Sequence, residues 1–265
     1  MPKNKRHPIT GCRATQLFGM WAVEPASFQS LYAAAMKVDL VALTADAPSS
    51  SLPSLNPDVK DADGGEPDCD GDEYMISNGI AQIHIEGPMT KYPTSFSSMF
   101  GGCATVMTRK AIRAADDDPD VDAIMLCIDS GGGTVNGTSD LAEDIAAIEK
   151  PCYAYIADKG CSAAYWTASQ ADAIYANATA VIGSIGTMAR IEDTSGAYEQ
   201  KGVKIHIVGS AKAKGGGSDG VPVSDDYLAE VQREVDQINA IFTSAVKAGR
   251  NFNTEQLNQV ADARV

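Results

Sequence analysis

The 265-residue chain has only three histidines, His7, His84 and His206, and its six cysteines contain no Cys-x-x-Cys pair. The usual zinc knuckle and the dithiol redox pair are therefore excluded. A Ser-His-Asp hydrolase or a histidine-ligated metal enzyme would have to draw on those three imidazoles. Positive charge is also short: 21 Lys and Arg stand against 35 Asp and Glu, a net charge of −14. This balance disfavours a nucleic-acid binder that works by neutralising phosphate, and an anionic membrane surface as well. No apolar run reaches the length of about 20 residues that a spanning helix needs. The N-terminal stretch from Leu31 to Ala45 is broken by Lys37 and Asp39, and the basic start has no adjacent signal-peptide core. A cytoplasmic protein without a membrane span is the expectation, since nothing requires an oxidising compartment.

What is present is 44% hydrophobic sequence, enough to bury a sizeable core. Its distribution predicts three parts. Residues 1–46 read as a small helical region, with a helix starting near Glu24-Pro25. Residues 47–77 read as an acidic linker rich in Pro, Ser and Gly. Within it Glu66, Asp68, Asp70 and Gly71 nearly spell a calcium loop. Pro67 intrudes, however, and Ser77 stands where a bidentate Glu is needed, so the plain linker is the preferred reading. Residues 78–265 alternate strand and helix. Strands are predicted over 80–86, 121–128, 152–156, 173–175, 181–185 and 203–208. Helices are predicted over 104–115, 138–148, 162–170, 195–201 and 224–248. Such alternation predicts an α/β core with a largely parallel sheet. Apart from Asp122, the 121–128 run is apolar, as a strand buried on both faces would be.

Three segments carry chemistry. Ile128-Asp-Ser-Gly-Gly-Gly-Thr-Val-Asn-Gly137 ends a strand in glycines before a helix. Backbone N–H groups can crowd around an anion there. The dinucleotide fingerprint fails because Asn136 holds the third glycine position; a tight turn or an oxyanion site remain. Ala157-Asp-Lys-Gly-Cys-Ser-Ala-Ala-Tyr-Trp166 places Ser162 at a helix start, either as a nucleophile favoured by the dipole or simply as a helix cap. Cys161 is a rival nucleophile with no histidine nearby in sequence. Val208-Gly-Ser-Ala-Lys-Ala-Lys-Gly-Gly-Gly217 puts two lysines beside a glycine loop, either solvated or, if dehydrated, basic.

In this order, with Gly183-Ser-Ile-Gly186 between the second and third, the segments resemble the serine peptidases of the signal peptide peptidase A family. The resemblance runs from about Ile80 to Arg250. It implies the ClpP/crotonase fold of stacked β-β-α turns and a Ser-Lys dyad without metal or cofactor. Carried over residue by residue, Ser162 matches the serine, Lys214 the lysine, and Ser184 the residue that orients the lysine. Gly132 and Ala163 match the oxyanion-hole donors. Lys212 competes with Lys214 if the loop is shifted by a gap.

Trp21-Ala-Val-Glu-Pro25 and the missing anchor are similar to the phage head-maturation (prohead) branch. That branch implies polypeptide substrates of the scaffold or capsid kind and a homo-oligomeric ring. Helix 224–248 either contributes to that ring or packs on its own subunit. Alternatives are a bacterial cytosolic peptidase for signal-peptide remnants, an inactive shell or scaffold subunit, and a crotonase-like acyl-CoA enzyme. Three departures stand out: Gly131 replaces a usual proline, Ala163 and Ala164 replace residues that are often glycine, and the C-terminal end at Val265 is expected to be incomplete.

Overall fold

The computed structural model describes residues 21–25, 27–29, 74–93, 101–211 and 213–265. Most of the expected N-terminal helix, most of the acidic linker with its near-calcium loop, and Lys212 lie outside the described residues.

The strands are β1 (Trp21–Val23), β2 (Met75–Ser77), β3 (Ile80–Glu86), β4 (Met89–Thr90), β5 (Cys103–Ala104), β6 (Ala123–Ser130), β7 (Gly132–Thr134), β8 (Cys152–Cys161), β9 (Ala173–Ala176) and β10 (Val181–Gly183). The helices are α1 (Thr105–Asp117), α2 (Thr138–Ala146), α3 (Ala163–Ala168), α4 (Ser195–Gln200), α5 (Asp225–Gly249) and α6 (Thr254–Val260). A six-stranded sheet runs β10-β8-β6-β3-β2, with β9 also paired to β8. All its pairings are parallel except the β2–β3 hairpin. A small sheet has the order β1-β7-β4-β5. This is the α/β architecture with a largely parallel sheet that the sequence predicts.

The large sheet is held by one face. Ala81, Ile83 and Ile85 of β3, Ile124, Leu126 and Ile128 of β6, and Cys152, Ala154 and Ile156 of β8 are buried in register. They meet Ala111, Ile112 and Ala115 of α1 and Leu141 and Ile145 of α2 in one core. Each fully buried Ile or Leu contributes about 1.5–3 kcal/mol. The apolar run within 121–128 had implied burial on both faces. Instead β6 alternates buried and half-buried residues, and Met125 and Cys127 face away from the helices. An ion-pair cluster fastens α1 to α2: Arg109 Nε lies 2.5 Å and Arg113 Nη2 2.8 Å from the Asp144 carboxylate.

The C-terminal half of α5 packs on the main body. Phe242 stacks on Trp166 of α3 at 4.6 Å and 9°, and Val246 is buried beside it. Arg250 donates from Nε to the Ser169 carbonyl at 3.0 Å and from Nη2 to that of Ala171. These bonds fix the end of α3, so the chain after Ser162 has a set direction.

One predicted strand does not form. Residues 203–208 have no strand pairing, and Val203, Ile207 and Val208 are exposed, the last completely. Alternation gives this segment a strand-like pattern, but no free edge of either sheet meets it. His206, expected in a strand, is exposed there as well.

Candidate functional site

Two parallel strands deliver the serines to one place. β8 and β10 pair with Gly183 opposite Cys161, so Ser184 stands beside Ser162 one step further on. The Ser162 N–H donates to the Gly183 carbonyl at 2.8 Å, which ties the two segments together. Both serines are buried and both have positive φ, 56° at Ser162 and 52° at Ser184. A non-glycine residue in that region costs about 1–3 kcal/mol and persists only where its surroundings enforce it. At Ser162 the enforcement comes from the abrupt passage of β8 into α3.

The capping alternative for Ser162 fails on geometry. Ser162 precedes the first residue of α3, but its φ of 56° is far from the extended conformation of a capping residue, and its side chain makes no cap hydrogen bond. Its hydroxyl instead donates to the Gly186 carbonyl at 3.4 Å, a long bond that leaves Oγ weakly held.

The Ala163 N–H is the first of α3, where helix geometry provides no intrahelical acceptor. The turn at Gly132 lies against it. A β-carbon on Gly132 would lie 2.9 Å from the Ala163 nitrogen and 2.3 Å from the Ala22 carbonyl oxygen, and φ at Gly132 is +95°. Only glycine fits this position. The N–H of Gly132 itself donates to Ser130 Oγ at 3.1 Å, and Ser130 donates on to the Gly87 carbonyl at 2.5 Å. Ser130 is thus a buried strut that sets the turn; its sequence signal was its place directly before three glycines. An open cavity of about 330 Å³ lies on the flank of the turn, lined in part by Gly131, Gly132, Asp129, Asp158 and Lys159.

Cys161 does not compete as a nucleophile. Burial, reinforced by the charge of Glu24, pushes its thiol up to about 11, and its sulfur donates to the Val181 carbonyl. Near neutral pH the reactive thiolate is scarce.

The lysine is not brought to the serines within one described chain. Lys214 stands exposed, with its Cβ packed toward Gly209; its backbone N–H donates to the Ala211 carbonyl at 3.1 Å, and its amine has no hydrogen bond or ion pair among the described residues. Lys212 lies outside the described residues. Among the described residues no group of three or more His, Cys, Asp or Glu is placed to hold a metal ion, and no helix is long and apolar enough to cross a membrane. The helix 224–248 packs through Phe242 and Val246 on α3 and α2 of its own chain.

A buried, strained serine at a strand-to-helix elbow, opposite a glycine turn, defines a candidate nucleophile site on an α/β scaffold. Residues 145–265, which include Ser162, Ser184 and Lys214, match the model of peptidase family S49. The chain is 32% identical over 179 residues to the capsid assembly protease C of Escherichia phage lambda, covering 66% of this chain and 40% of that protein. It is 30% identical over 178 residues to the head-tail preconnector protein GP5 of Enterobacteria phage P21, covering 65% and 35%. To protease 4 of Haemophilus influenzae it is 26% identical over 200 residues, covering 73% and 31%. The chain thus spans well under half the length of each of these relatives. Among solved structures it is similar to an enoyl-CoA hydratase from Mycobacterium avium subsp. paratuberculosis K-10, with a TM-score of 0.35 and 16% identity, over 72% of this chain and 87% of that one.

Proposed function

We propose that this protein is a serine endopeptidase with Ser162 as nucleophile and Lys214 as general base. The observation that carries the reading is the conformation of Ser162. Its strained backbone turns Oγ away from the capping role and toward Gly186, beside the first N–H of α3 at Ala163, which has no intrahelical acceptor. In the reaction the neutral amine of Lys214 takes the hydroxyl proton as Oγ attacks a peptide carbonyl. The Ala163 N–H receives the tetrahedral oxyanion against the turn at Gly132, a donor worth about 3–4 kcal/mol. The protonated lysine then returns its proton to the leaving amine, and water cleaves the acyl-enzyme.

Lys214 must be dehydrated to be neutral near pH 7. Its exposed loop supports a site completed by assembly, with a second copy covering loop 209–217 in a homo-oligomer. Ser184 is the residue that orients the lysine there. The phage relatives, by identity and coverage, favour scaffold and capsid polypeptides as substrates. The test is hydrolysis of a denatured polypeptide by the intact protein and by Ser162→Ala. The reading requires measurable cleavage that the substitution abolishes; equal cleavage by both contradicts it.

A further inference from the structure

The strand β1 lies in an unusual place. On one side it pairs antiparallel with β7, Val23 opposite Gly132 and Trp21 opposite Thr134. On the other it exchanges two hydrogen bonds with Met188: Trp21 N–H to the Met188 carbonyl at 3.0 Å, and Met188 N–H to the Trp21 carbonyl at 2.9 Å. Its two neighbours are the glycine turn and the segment that follows Ser184 and Gly186, the walls on either side of Ser162. The Ala22 carbonyl rests on the α-carbon of Gly132, next to the Ala163 N–H. Just beyond β1, the Glu24 N–H donates to the Gly131 carbonyl at 2.7 Å, and Ser27 covers Gly131. Ser162 has no exposure at all, with β1 against the Gly132 turn and with the Arg264 carbonyl accepting from the neighbouring Ser184 N–H at 2.6 Å.

A nucleophile for polypeptides cannot work while fully enclosed. The slot between Gly132–Thr134 and Met188 offers backbone donors and acceptors on both sides, the requirement for binding an extended chain by strand addition. We infer that this slot is the polypeptide-binding cleft and that β1 is its resident occupant, an intramolecular strand that an incoming polypeptide must displace. The inference rests on the peptidase reading for its purpose, though not for its geometry. It gives β1 a regulatory role: the docked strand closes the site, and its release both opens Ser162 and frees the turn at Gly131–Gly132 from Glu24.

The anchor is Trp21, buried and packed edge-on against Phe28 with ring centroids 5.2 Å apart. A three-residue strand without that anchor is weakly held. If β1 is docked nine-tenths of the time or more, removing the anchor raises apparent affinity and reactivity about tenfold or more. The experiment uses the full chain, its Trp21→Ala variant, and a labelled synthetic peptide with the sequence of residues 19–29. Trp21→Ala should bind this peptide about tenfold more tightly than the parent, and its Ser162 should react faster with a fluorophosphonate in similar proportion. Equal binding by the two proteins, or none by either, overturns the inference. Because Trp21→Ala can destabilise the fold, hydrogen exchange on the unaltered chain gives a second reading. Saturating peptide should expose the Trp21 amide while the Met188 amide stays protected, since the peptide replaces β1 as its acceptor. A Trp21 amide that stays protected also overturns it. Absence of fluorophosphonate reaction in both proteins, alongside the expected exchange pattern, defeats the peptidase reading and leaves the displaceable strand intact.

Discussion

Gly132 and Ala163 touch so closely that a single methyl group on the former would lie 2.9 Å from the amide nitrogen of the latter. Gly132→Ala would push this methyl toward the proposed oxyanion site and impose φ near +95° on alanine. The variant should lose about 100-fold or more in peptide turnover, the scale of a lost oxyanion donor. Steady-state kinetics on a chromogenic peptide checks this, and turnover within threefold of the parent would remove Gly132 from the site.

Ser130 links Gly87 to Gly132 through one hydroxyl. Ser130→Ala leaves the half-buried Gly87 carbonyl and the buried Gly132 N–H without their partner, at about 1–3 kcal/mol. Chemical denaturation should show that loss, with turnover falling as the turn loosens.

The two lysines of the glycine loop are separable. Lys214→Ala should abolish hydrolysis, and Lys214→Arg should not restore it, because a guanidinium does not give up its proton. Lys212→Ala should stay within a few-fold of the parent. The reverse ranking would move the base to Lys212.

The Asp144 carboxylate is the hub of the α1–α2 clamp. Burial alone would raise its pKa, but hydrogen bonds from Arg109 and Arg113, with their charges, hold it below the usual carboxylate range. The stability it supplies is therefore complete above the ordinary value of 3.8 and lost as pH falls through the depressed folded-state value. Asp144→Asn should cost about 1–2 kcal/mol at pH 7, and much less once pH has fallen through the depressed folded-state value. A pH-independent loss in urea titrations would mean that packing, not charge, makes the clamp.

Cys161 and Cys152 shift in the other sense. Burial, the largest cause at both, pushes the thiols up to about 11 and about 12 from 9.0. Stability from these neutral thiols is full below pH 9 and declines as pH rises toward 11–12, since the unfolded chain then holds fewer protons than the native one. Iodoacetamide should modify Cys161 slowly at pH 8 in the native state and readily in urea. Rapid native alkylation, mapped by mass spectrometry, would return Cys161 to the list of nucleophiles.

Much of the large sheet was legible because burial there follows sequence period. Ile80–Glu86 alternates, and the strand occupies those residues. The short strands escaped. Gly132–Thr134 reads as a loop, since its two glycines carry no side-chain pattern; only its partners Trp21–Val23 and Met89 make it a strand. The β2–β3 hairpin had a local signal in Asn78-Gly79, whose φ values of 53° and 76° suit a two-residue turn. At residues 203–208 the pattern misled, because alternation states a preference for pairing and cannot supply an edge. The serines were legible as motif positions, whereas their positive φ arises from the meeting of β8, β10 and α3, which no local window contains. Lys214 lies in an exposed loop, away from the strands that place Ser162 and Ser184, so sequence order alone could not bring them together.

The most direct measurement is covalent labelling of the full chain with a biotinylated fluorophosphonate, followed by peptide mapping. The account predicts a single adduct on Ser162, lost in Ser162→Ala and strongly slowed in Lys214→Ala. An adduct on any other residue, or labelling that survives in Ser162→Ala, would contradict it.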